Sequence, residues 1–108
     1  MTFGLKTLAK GEENYVEIYE GDPKKRDSSY HQGITWVWLL GLYYNALKNK
    51  LKLTKNKKEK QELQEKLNKF IDKTKKTFKK EIYQRGCIGS IAEIYDSKKP
   101  YMPKRAIA

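Results

Sequence analysis

Glu93 stands in the run Ile91-Ala92-Glu93-Ile94-Tyr95, a carboxylate with apolar neighbours on both sides. Surroundings of that kind strip water from the charged form and raise the pKa toward the range of acid–base work. The competing reading is an alternating strand that turns Glu93 and Tyr95 to water, and period alone leans toward it. A second set lies upstream, where Tyr30-His31-Gln32 puts the single histidine between a phenol and an amide, with Trp36 close behind. His31 can meet a ligand or lock its own loop through backbone hydrogen bonds. For at least one of Trp36 and Trp38 core packing is the better reading, because alternate positions of a helix point apart. In Glu20-Gly21-Asp22-Pro23 the proline fixes the backbone where two carboxylates are displayed. That loop either presents them to a ligand or is a surface turn with solvated acids.

Other chemistries are closed. Cys87 is the sole cysteine, so no intrachain disulfide, zinc set or Cys-x-x-Cys pair can be built, and a reducing cytoplasm fits. Met1 to Lys6 lacks the basic region and apolar stretch of a signal peptide. The longest apolar segment, residues 34–44, falls short of the about 20 residues that cross a bilayer, so no membrane partner is expected.

The 108 residues carry a net charge of +11, yet fourteen lysines against four acids between Lys48 and Lys80 account for +10 of it. Basicity is one segment's property. Only Arg26, Arg85 and Arg105 offer the planar fork that reads phosphates and bases, so a solvated lysine face outweighs a nucleic-acid site.

The elements that must position these groups follow from periodicity. Trp36, Leu39, Leu40, Tyr43, Leu47 and Leu51 recur at helical spacing while Val37, Trp38, Leu42 and Ala46 fill the opposite side. The spacing predicts a helix from between Thr35 and Val37 to about Asn49, apolar all round in its first turns and therefore buried. Asn56 followed by Glu59 resembles a capping box. From there Leu63, Leu67, Phe70, Ile71, Thr74, Phe78 and Ile82 form one stripe of an amphipathic helix on an outer surface, ended by Gly86. Tyr15 to Tyr19 alternates like a short strand within an otherwise ordered loop. The expected class is all-α, an inner helix paired with an outer one.

Gly4-Leu5-Lys6-Thr7-Leu8, Tyr19-Glu20-Gly21-Asp22-Pro23, Arg26-Asp27, Tyr30-His31-Gln32-Gly33, Trp36 with Trp38-Leu39-Leu40-Gly41, and Gly86 through Asp96 form separate blocks along the chain. In order and spacing they resemble the carboxy-terminal amylo-alpha-1,6-glucosidase domain of glycogen debranching enzymes. The resemblance implies an α/α toroid of the six-hairpin glycosidase type, here an incomplete barrel. Residues 1–33 would form a cleft loop, 34–52 the inner helix, 56–85 the outer lysine-rich helix, and 86–108 a second cleft loop with a tail that looks cut. It also implies hydrolysis of alpha-1,6-linked glucose at branch points of glycogen or a branched alpha-glucan, with inversion and without a cofactor or metal. Inversion needs a carboxylic acid and a carboxylate roughly 6.5 to 9.5 Å apart. Glu93 matches the general base, and the family's general acid would lie upstream of Met1. Glu20, Asp22, Asp27, Tyr30, His31, Gln32 and Trp36 match loops that face the cleft and bind the sugar. Val37 departs from the proline common between the two tryptophans, and Asp96-Ser97-Lys98-Lys99-Pro100 from a more acidic, glycine-containing turn.

On that reading the chain is a piece of a glucosidase, inactive by itself. The alternative is a helical interaction module that docks with a partner chain, either the missing part of the catalytic domain or a second copy. A basic nucleic-acid-binding hairpin is the weakest reading, since it would lean on lysines with almost no arginine.

Overall fold

Ile34 to Trp36 does not begin a helix. In the computed structural model, which describes residues 3–84 and 89–106, Thr35 and Trp36 lie in a sheet. Strand β1 is Leu5–Lys6, β2 is Thr35–Trp36, β3 is Ala92–Tyr95 and β4 is Pro103–Ala106, in the spatial order β1-β2-β3-β4 with every neighbouring pair antiparallel. Leu5 pairs with Trp36, Thr35 with Tyr95, and Ile94 with Arg105. Three helices complete the described residues: α1, Pro23–Ser29; α2, Leu39–Leu53; and α3, Lys57–Gln84.

The expected all-α class, an inner and outer helix pair of an α/α toroid, is therefore wrong: the fold mixes helices with a four-stranded antiparallel sheet. The reason lies in the length of the strands. Two residues carry no alternation to detect, and Trp36 also fits the helical series that continues at Leu39 and Leu40. β-Branched and aromatic side chains suit a pleated, covered surface, and Thr35 and Trp36 are both buried there. The helix starts at Leu39, with Trp38 at its cap position and no side-chain cap.

Nor is α2 buried all round. Leu40 and Leu47 are buried, but Trp38 is 62% exposed and Leu42 55%. Helix α3 is covered along one side through Leu67, Phe78 and Glu81. Its start is capped by Asn56, whose Oδ1 accepts from the backbone N–H of Lys58 (3.0 Å) and Glu59 (3.1 Å). Gly86, the expected stop, lies outside the described residues, as does Cys87. No described helix is long and apolar enough to cross a membrane.

Two apolar clusters hold the fold. Tyr19, Ile34, Trp36 and Ile94 form one, with Tyr30 and Leu39 packed against it. Leu40, Phe78, Ala92 and Tyr95 form the other, where Phe3 stacks on Tyr95 at 4.4 Å and joins the sheet to α3. The Tyr15–Tyr19 run is not a strand but is tied down as one would be: Val16 N–H donates to the Gln32 carbonyl (2.6 Å), and Ser97 N–H donates to the Glu17 carbonyl (2.7 Å). Gly33 sits at this junction with φ +127°, and a Cβ there would meet the Val16 carbonyl and the Tyr15 ring.

Candidate functional site

Helix α1 begins where Asp22 Oδ1 accepts from Lys25 N–H at 2.8 Å and Pro23 opens the first turn. It ends at Tyr30, and the chain turns back as Gln32 N–H reaches the Ser29 carbonyl (3.0 Å). This turn is pinned to the sheet from below. The Trp36 indole Nε1–H donates to the Tyr30 carbonyl at 2.8 Å, and the two rings lie 4.3 Å apart. His31 stacks flat on Trp36, 5.1 Å between centroids and 9° between planes. Trp36 is thus covered, while the imidazole above it is exposed.

Glu93 reaches this aromatic stack because β3 is irregular. The β3–β4 register shifts on both sides of Ile94, which breaks strict alternation and re-aims the neighbouring side chains. The Tyr30 hydroxyl donates to Glu93 Oε2. Arg105, opposite Ile94 on β4, brings Nε to 3.5 Å from the same oxygen. Its Nη1 is 3.3 Å from the Tyr30 hydroxyl, and its guanidinium lies over the Tyr30 ring at 5.3 Å. Glu93 Oε1 has no partner among the described residues, and the side chain keeps 36% of its surface open to solvent. Glu93 is thus neither turned fully to water nor sealed in an apolar pocket.

Burial pushes the Tyr30 hydroxyl up to about 12, and its hydrogen bond to Glu93 and the carboxylate charge add to the rise while Arg105 opposes it. Arg105 is held further into its charged form, first by Tyr30 and then by Glu93. The result is a carboxylate gripped by one oxygen and open at the other, joined through Tyr30 to an exposed imidazole.

The family model for amylo-alpha-1,6-glucosidase matches residues 1–108, the whole of the sequence. The chain belongs to the amylo-alpha-1,6-glucosidase family. No curated protein and no solved structure matches it. Family membership makes this a glucosidase-related domain, and its Glu93, Tyr30, His31 and Trp36 are the residues that the fold gathers in one place.

The remaining candidates in this glucosidase-family chain lie elsewhere or do other work. Asp22 caps α1, Glu20 is exposed, and the backbone of Gln32 ties the turn to Val16. Asp27 is exposed at the rim of a hollow of about 350 Å³ lined also by Tyr19, Pro23, Arg26, Lys104 and Arg105. Another hollow, of about 300 Å³, opens between Phe3, Thr35, Asp96 and Tyr101, and shares no lining residue with the Glu93 cluster. Among the described residues no group of three or more His, Cys, Asp or Glu could hold a metal ion.

Two features escaped the sequence. Arg105, which grips Glu93, left one signal, its rarity in a chain whose other basic residues are almost all lysine. Asp96 is 5% exposed, accepts from Tyr19 N–H at 2.9 Å and lies 3.3 Å from Lys104 Nζ, so it ties the Tyr15–Tyr19 run and β4 to the end of β3. Ser97 completes the tie, 2.7 Å from the Thr35 hydroxyl and donating to the Gly33 carbonyl at 2.5 Å.

Proposed function

We propose that this chain forms the base side of a site that hydrolyses alpha-1,6-linked glucose in a branched alpha-glucan with inversion. Glu93 is the general base. The observation that carries the reading is the division of labour between its oxygens: Oε2 is held by Tyr30 and Arg105, and Oε1, without a partner among the described residues, can accept a proton. A water there loses its proton to Oε1 as its oxygen bonds to the anomeric carbon. The bond from that carbon to the leaving O6 breaks on the opposite face, and glucose departs as the β anomer. A carboxylic acid roughly 6.5 to 9.5 Å away protonates O6. Among the described residues the Tyr30, His31, Trp36 and Arg105 cluster has no second carboxyl, so that acid comes from outside these.

The exposed His31, braced by its stack on Trp36, supplies a rigid polar face for sugar hydroxyls, while the buried Trp36 acts through His31. The test is isothermal titration of the chain with a short alpha-1,6-branched maltooligosaccharide. Saturable binding, weakened about tenfold or more by His31→Ala, is expected. Absence of saturable binding to the unaltered chain would reject the reading.

A further inference from the structure

We propose that the hollow between α1 and β4 binds a phosphate group carried on a sugar. Tyr19, Pro23, Arg26, Asp27, Lys104 and Arg105 line it. Three arginines occur in the whole sequence, and two of them meet here. Guanidinium forks match the oxygens of a phosphate two at a time, which ammonium groups cannot do. The scarcity of arginine makes the convergence informative in a way that another group of lysines would not be.

The cations of the hollow are not equally committed. Lys104 is paired with Asp96 and Arg105 with Glu93. Among the described residues Arg26 has no carboxylate partner, and its Nε is buried without a hydrogen bond. A buried charged donor left unmatched calls for an acceptor, and an anion in the hollow supplies one. Asp27, exposed at the rim, would repel a bare anion. It suits an anion attached to hydroxyl groups, since a carboxylate accepts from a hydroxyl while the cations hold the phosphoryl oxygens. The volume, about 350 Å³, takes a phosphoryl group and part of a hexose. Because Arg105 faces both the hollow and Glu93, an occupying phosphate also competes with Glu93 for its guanidinium.

The lysines between residues 48 and 80 will attract any anion loosely, so the test must resolve sites. The labelled chain is titrated with inorganic phosphate at constant ionic strength, and the Arg26 Nε–Hε resonance is followed by nuclear magnetic resonance. Saturable movement of that resonance together with those of Lys104 and Arg105 is expected. Glucose 6-phosphate should bind about tenfold tighter than inorganic phosphate, and Arg26→Lys, which keeps the charge and loses the fork, should weaken both about tenfold. A short maltooligosaccharide phosphorylated at O6 separates the sources of the group: tighter binding than glucose 6-phosphate assigns the site to phosphorylated glucan, weaker binding to a free sugar phosphate. Shifts confined to the α3 lysines, or an Arg26 resonance that does not move, would overturn the proposal. No neutral glucan enters the measurement, so its outcome is independent of the glucosidase reading.

Discussion

Tyr30 is the residue on which the Glu93 cluster turns. Its hydroxyl holds the carboxylate, its carbonyl holds Trp36, and its ring lies under Arg105. With its hydroxyl raised from about 10 to about 12, folded Tyr30 keeps its proton where the unfolded chain has lost it. Below pH 10 both states are protonated and the stabilisation is whole. Between pH 10 and 12 the unfolded state binds fewer protons, so stability falls with rising pH through this group. Glu93→Gln removes the carboxylate charge that adds to the rise. Absorbance titration near 295 nm should show a late-ionising tyrosine step that moves to lower pH in Glu93→Gln. Unchanged titration would mean that Glu93 does not act on Tyr30 in solution. At this scale the sequence named Glu93, Tyr30, His31 and Trp36 through type and order, but it could not name Arg105. That contact depends on β4 lying beside β3, and no local pattern records which strands become neighbours.

Among the elements, the long helices and the short strands differ in how much of themselves they write into the chain. Helix α3 repeats its apolar position through many turns, and Leu67 and Phe78 lie on the covered side. Strands β1 and β2 are two residues each, and their pairing is decided by segments far away in sequence. The contact that fixes α3 to the sheet was equally invisible: Glu81 is 3% exposed, and Tyr95, wholly buried, donates its hydroxyl to Glu81 Oε1 at 3.0 Å. Among the lysines of α3 a glutamate reads as one more surface charge. Tyr95→Phe keeps the stack on Phe3 and removes this donor from a buried carboxylate, which should cost about 1–3 kcal/mol in urea unfolding. A cost no greater than that of an exposed Tyr83→Phe control would show that the hydrogen bond does not anchor the helix.

At the scale of the whole molecule, charge and apolar surface are kept apart. Residues 48–80 hold +10 of the +11 net charge, and they lie on the later part of α2, the connection and α3. The exposed pair Trp38 and Leu42 lies at the other end of α2, where the helix leaves the sheet. One turn apart, the two side chains share a helix face. Two copies can meet through these ends and keep their lysines at a distance, but the long-range repulsion between chains of the same sign still opposes the encounter. Salt screens that repulsion, with a Debye length of about 10 Å at 0.1 M and about 3 Å at 1 M, and leaves apolar burial intact. Self-association measured by sedimentation should therefore strengthen as sodium chloride is raised, and Trp38→Lys should weaken it by about tenfold or more, since a buried tryptophan dominates the contact it makes. Association that weakens with salt would place the contact on the lysine-rich helix instead. A chain that stays monomeric at every salt concentration would leave Trp38 and Leu42 as isolated surface residues, which single apolar side chains commonly are.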